Sequence, residues 1–361
     1  MRHRHFTLLT ILALVVAACG GEGTEDSTTS SAAESTTTTA SVEAVELSYA
    51  LEPGESYQYE VDMNQTIDLS TSGDTSALGE GEDLPGDMSL VIAGTTTFTY
   101  SVAEGPESGT YEVTISGDFS DLEFSGTIDG EPVDSSEIPE MAEMEPVDTT
   151  IVVDDQGNVI PDDSAGPGED FLGGLGGMNM LDQFGAATPG RFIGPPFSEG
   201  EFTVGDTWLE TVETPMMPDA DPIVTTVESE VVSSDEVEGN EVFVIETTST
   251  TSAFEFDLGE LLIGFMTAFV PEDATEEELA ELDAIVEQLR FAFSVDESTS
   301  NMTTWFDYTA GVSRQAEVTG DTHMIMDVNI PDETTGDLVE FEMDMTIGQD
   351  LTYRLIDGSG S

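Results

Sequence analysis

Apolar and polar residues alternate with a period of two along most of the chain. Tyr57 to Met63 (YQYEVDM) is one such run, and Thr97 to Val102 (TFTYSV) is another. Tyr111 to Ile115, Val242–Ile245 and Phe341 to Ile347 (FEMDMTI) extend the pattern. This spacing, with Thr, Val, Tyr and Phe enriched, predicts antiparallel strands that bury one face and wet the other. Gly, Asp and Asn punctuate the runs at Glu104–Gly109, Asp129-Gly130, Glu238-Gly239-Asn240 and Gly336-Asp337. The strands should therefore follow one another as hairpins, without helical crossovers.

Two stretches depart from the pattern. Residues 164–200 hold the glycine-rich run Phe171 to Leu181 and then Pro189, Pro195 and Pro196, which reads as a loop or short helix joining two parts of the chain. Near the other end, Thr275 and Glu278 match a capping box. Leu279, Leu282, Val286, Leu289 and Phe293 follow at helical spacing, so a helix is expected over 275–291. Immediately before it, Leu261 to Val270 is the most hydrophobic run after the amino terminus. It is too short for a membrane span, which needs about 20 residues. Such an element either covers a hydrophobic cavity or fills the core between helix and sheet. If it covers a cavity, the candidate lining residues are Phe254, Leu258, Leu262, Phe265, Met266, Phe269, Leu282 and Val286, with Phe256 at the rim.

A short internal repeat sits inside the β pattern. Pro53 to Tyr57 with Val61 aligns with Val204 to Trp208 with Val212 at an offset of 151 residues. In each copy a Gly-acidic-hydroxyl-aromatic turn launches a strand. The expected fold is mostly β: a large antiparallel curved sheet or half-barrel built from two related halves, 44–195 and 196–355, with the 275–291 helix packed on it. Residues 356–361 form a short tail.

The amino terminus has a different character. Arg2 and Arg4 precede the apolar run Phe6 to Ala18, and Ala17, Ala18, Cys19 and Gly20 close it. A basic start, a short apolar core and small residues describe a signal peptide over 1–18. Val16-Ala17-Ala18-Cys19 resembles the lipobox of bacterial lipoproteins. That resemblance implies a diacylglyceryl thioether on Cys19, cleavage before it, and a membrane anchor on the extracytoplasmic face. Ordinary secretion with a simple cleavage site is the alternative, and it would leave the chain's single cysteine as a lone thiol. Residues 19–43 are rich in Ser, Thr and Gly and lack apolar periodicity, so they read as a disordered tether with a root-mean-square span of roughly 27 Å.

Charge narrows the partners. The chain has 76 acidic residues against 6 arginines and no lysine, for a formal charge of −70. Removal of Arg2 and Arg4 with the leader takes it to about −72. Such a surface repels nucleic acid and anionic headgroups, and it suits saline surroundings with diffuse cations around hydrated carboxylates. Asp154 to Asn158 (DDQGN) comes nearest to a calcium loop, but its spacing is wrong, and the apolar flanks predict a hairpin turn. No metal site and no cofactor are expected.

Catalytic signatures are equally sparse. The sequence contains no Gly-x-Ser-x-Gly elbow, no His-Glu-x-x-His pair and no phosphate-binding loop. His323, the one histidine after the leader, alternates with apolar residues and is expected on the solvent face of a strand. The order of features is similar to that of uncharacterised β-rich bacterial lipoproteins and, more distantly, of lipid carriers of the LolA and LprG type. That resemblance implies a curved sheet with a greasy cavity. The expectation is a non-enzymatic, membrane-anchored lipoprotein that binds a lipid or other hydrophobic molecule. The alternative is a structural or adhesive protein whose acidic surface engages divalent cations or cell-wall partners.

Overall fold

The computed structural model describes residues 44–73, 86–117, 122–134, 147–160, 194–214, 222–257, 290–331 and 338–357. The expected leader, Cys19 and the expected tether lie outside these residues, as do most of the 164–200 stretch, the expected Gly336-Asp337 turn, the 261–270 run and the expected 275–291 helix. What is described is almost wholly antiparallel strand. The first part contributes β1 (Val45–Glu46), β2 (Ser56–Gly73), β3 (Asp87–Glu104), β4 (Thr110–Gly117), β5 (Glu123–Ile128), β6 (Glu131–Asp134) and β7 (Val147–Asp154). The second contributes β8 (Glu201–Phe202), β9 (Thr207–Thr214), β10 (Ile223–Val237), β11 (Asn240–Thr251), β12 (Phe254–Asp257), β13 (Arg290–Val295), β14 (Ser298–Asp307), β15 (Val312–Pro331) and β16 (Leu338–Asp357).

Four long strands, β3, β2, β16 and β15, lie side by side at the centre of a 14-stranded sheet that does not close. The outer two each serve two partners in turn. β3 pairs with β5 through residues 88–93 and with β4 through 98–104. β15 likewise pairs with β14 up to Asp321 and with β13 from Met324. The sheet therefore broadens at both ends of the long strands, with β4, β7, β14, β11, β10 and β9 at one end and β5, β6, β13 and β12 at the other.

Local chemistry explains the turns. Asp129 and Glu238 adopt positive φ of 51° and 53°, each followed by Gly, which gives the two-residue hairpin geometry that matches strand twist. The repeat is realised in three dimensions. Gly54 and Gly205 both have φ of 96°. Gly54 N–H donates to Val102 O and Val102 N–H donates to Glu55 O, at 2.8 and 3.0 Å. Gly205 and Asp206 make the same exchange with Val231, at 2.7 and 3.0 Å. In both copies the turn locks the start of one strand (β2 or β9) against its hairpin partner (β3 or β10).

The halves also exchange contacts. β1 pairs with β8. Ala50 N–H donates to Gly311 O in the second part, and Phe197 N–H donates to Gln156 O in the first. Phe197 is wholly buried, stacks on Tyr49 at 5.0 Å between centroids, and meets Phe306 edge-on at 4.8 Å. Tyr49 OH donates to Pro195 O and Trp208 Nε1–H donates to Pro196 O, so the prolines of the joint give their carbonyls to core aromatics. Alternation fails on β11, where Val242 to Ile245 are all buried, so that strand has no wet face there.

Candidate functional site

Alternation places one set of side chains from the long strands on a common inner face. On β2 the inward series is Tyr59, Val61, Met63, Gln65, Ile67 and Leu69. On β16 it is Phe341, Met343, Met345, Ile347, Gln349, Leu351 and Tyr353. The carboxylates take the other side: Glu60, Asp62 and Asp68 on β2, with Glu342, Asp344 and Asp350 on β16. An acidic protein has thus kept the interior of its sheet free of charge along both central strands.

Directly opposed residues in an antiparallel pair share a face, so the register can be followed across the sheet. One row runs Ile128, Met88, Leu69, Met345, Met324, Val295, Phe254, from β5 to β12. The neighbouring row includes Thr71, Met343, Met326 and Phe293. Five methionines therefore floor one end of the inner face. Met324, Met343 and Met345 are buried in the hydrophobic core, with Met88 and Met326 packed against it; methionine is unbranched and polarisable, which lets it adapt to the shape of its neighbours.

Between this floor and the aromatic end lies a band of neutral polar side chains. Its main row runs Ile92, Gln65, Gln349, Gly320, Ser300, Ser249, Val227. Thr225 pairs with Thr251 and Ser229 with Thr247 beside it, each hydroxyl pair at 3.0 Å and buried. A Cβ on Gly320 would come within 2.7 Å of Ser300 Cβ, so only glycine allows the strands to converge there. Gln65 and Gln349 are 5% and 6% exposed. They face each other across β2 and β16, each the single polar break in the inward series given above.

At the aromatic end, Tyr49, Tyr57, Tyr59, Tyr100 and Ser313 surround a cavity of about 20 Å³, room for one water. Tyr59 OH donates to Ser313 O at 3.1 Å. Burial pushes the phenols of Tyr49, Tyr59, Tyr100 and Tyr353 above the ordinary tyrosine value, so all four are neutral.

The sequence-predicted lining residues divide. Phe254 is half-buried and ends the methionine row. Phe256 is in β12, opposite Phe293 in register. Leu258, Leu262, Phe265, Met266, Phe269, Leu282 and Val286 lie outside the described residues, in the connection between β12 and β13. The polar band was missed. The visible signal was one Gln in each of two alternating strands, and the missing information was that the strands are neighbours.

His323 is on the outer face of β15, as alternation predicts, but it is held there. Asp296 Oδ2 lies 2.7 Å from Nδ1 and Asp344 Oδ1 lies 2.9 Å from Nε2. Both ring nitrogens can donate only when the imidazole is protonated. The hydrogen bond to Asp296 and then that to Asp344 raise its pKa above the ordinary histidine value, against the pull of partial burial. Asp154 is committed to its turn: Oδ1 accepts from Gln156 and Asn158 N–H and Oδ2 from the Asn158 amide, each at 2.9 Å, in the hairpin expected from sequence. Among the described residues no group of three or more His, Cys, Asp or Glu side chains is arranged to hold a metal ion.

No protein-family model and no curated protein matches the chain. Among solved structures, an outer membrane channel from Pseudomonas putida F1 aligns over 85% of this chain and 97% of that one, at 8% identity and a TM-score of 0.16. OpdQ from Pseudomonas aeruginosa aligns over 82% and 98%, at 7% identity and a TM-score of 0.16. At that TM-score neither alignment indicates a common fold.

Proposed function

We propose that the chain is a lipid-anchored, extracytoplasmic binding protein, not an enzyme, whose inner sheet face takes up a hydrophobic molecule. The anchor in this reading is the Cys19 thioether, and the partners are a membrane, the hydrophobic ligand and diffuse cations. The observation that carries the binding role is the methionine row from Met88 to Met324, which leads to Phe254. From there β12 enters the connection that contains Leu262 and Phe265. Uncharged, adaptable apolar surface of this kind suits ligands recognised by shape and hydrophobicity. Each buried methylene contributes about 0.8 kcal/mol, so two or three acyl chains on Cys19 suffice for a stable anchor.

Fractionation of the producing cell tests the anchor. Wild type is expected in the membrane fraction and in the detergent phase on partitioning. Cys19→Ala is expected to escape lipoprotein processing and keep its leader. A wild-type protein that partitions to the aqueous phase contradicts the reading.

A further inference from the structure

We infer that the open edge of β9 takes up an extended, basic segment of another polypeptide, which joins the sheet as one more strand. The described sheet ends on β6, β7, β9 and β12. Three of these ends are short or covered. β6 has four residues and carries Pro132, and β12 has four. The outer side of β7 is met by its own chain, through the Val153–Val159 bridge and through Ile160 N–H, which donates to Val152 O at 2.8 Å. β9 differs. It has eight residues, contains no proline, and keeps an unbroken register with β10 from Thr207 to Thr214. Regular edges of this kind are ordinarily blunted by lysine, proline or a bulge, because their free backbone groups template a further strand.

The direction of those groups follows from the ladder. Val231 N–H donates to Asp206 O and Val231 O accepts from Gly205 N–H, whereas Val224 O accepts from Ser252 N–H at the end of β11. Odd-numbered residues of β10 therefore face β9 up to Val231, and even-numbered ones face β11. Opposite Ser229, Val227 and Thr225, it is Trp208, Glu210 and Val212 that bond to β10. Thr207, Leu209 and Thr211 turn N–H and C=O to the open side. The side chains there are unsheltered as well. Leu209 is 58% exposed and Val212 47%. They stand on opposite faces of β9, so an added strand covers apolar surface on both.

Charge selects the occupant. β9 and β10 hold no lysine, arginine or histidine. Glu228 and Glu230 are exposed on the outer face beside Leu209 and Thr207, and Glu210 precedes Val212 on the inner one. A second copy of this chain would bring a formal charge of −70 to the same edge. Like-charge repulsion thus guards β9 against self-pairing where lysine or proline is missing. The same carboxylates attract lysine and arginine, while the backbone of the edge supplies the main-chain bonds of strand addition.

The test uses the full chain in nonionic detergent at physiological salt, with three fluorescein-labelled eight-residue peptides. One alternates lysine and valine, the second is the same with every backbone amide N-methylated, and the third alternates glutamate and valine. The methylated peptide keeps the charge and loses the donors of a strand. By fluorescence anisotropy, wild type should bind the first peptide about tenfold more tightly than either of the others. Thr211→Pro removes an N–H that faces the open side, a place where an edge strand tolerates proline. It should lower affinity for the first peptide about tenfold, with an unchanged circular dichroism spectrum. If that variant does not fold, Glu228→Gln/Glu230→Gln carries the comparison, with an expected loss of about threefold. Equal binding of the methylated peptide would reduce the effect to charge attraction and overturn the inference. Equal binding of the glutamate peptide, no binding of the first, or a wild-type dimer that Thr211→Pro dissolves would overturn it too.

Discussion

His323 shows what one residue does in a chain so short of cations. It sits where β15 leaves β14 and takes up β13, and its two carboxylate partners come from the β13–β14 link and from β16. Asp296 N–H also donates to His323 O, so ring and backbone fasten the same corner. Because the folded pKa is raised, the stabilisation is fully present below the unfolded value of about 6.5 and is lost as pH rises through the folded pKa. Thermal unfolding of wild type and His323→Gln across pH 5 to 9 should show a gap that is widest at the acid end and closes at the alkaline end. A gap that widens with pH would contradict the assignment. The position of the histidine on the outer face was legible from alternation. Its clamp was not, because Asp296 is 27 residues away on the far side of a hairpin.

Elements were legible to the extent that their signal is local. Period two located β2, β3, β4 and β16, and the Asp-Gly and Glu-Gly pairs located the β5–β6 and β10–β11 turns. The partners of each strand were not readable. Tyr59 opposes Leu355 and β1 opposes β8, and these registers follow from tertiary packing that no local window records. β11 broke the alternation because Val242 to Ile245 are buried on both faces. The 151-residue repeat was visible only as a few matching residues, yet each copy forms the same turn with the same backbone exchange. The space beside Gly54 and Gly205 is open, so a Cβ meets no atom there and only the backbone at φ of 96° resists it. Gly54→Ala and Gly205→Ala should therefore each cost about 1 to 3 kcal/mol in urea unfolding, by similar amounts. A loss at one site and none at the other would show that the two turns are not equivalent.

For the molecule as a whole, the sheet separates two environments. The outer face of the central strands carries Glu60, Asp62, Asp68, Asp344 and Asp350, while the inner face carries methionines, aromatics and neutral amides. Self-repulsion among some 70 negative charges opposes folding, and keeping those charges on the solvent side lets counterions screen them. The apolar row and the glutamine pair were present in the sequence as alternation with one interruption per strand. They become a candidate site only once β2 and β16 are known to be neighbours. The central claim joins that inner face to the Cys19 anchor, and native mass spectrometry of the intact protein, purified in mild detergent from the membrane of its own cell, tests it most directly. The account predicts a chain that begins at Cys19 with acyl chains attached, accompanied by a second, dissociable mass of a lipid or other hydrophobic molecule. A chain with a free thiol at Cys19 and no dissociable lipid would contradict it.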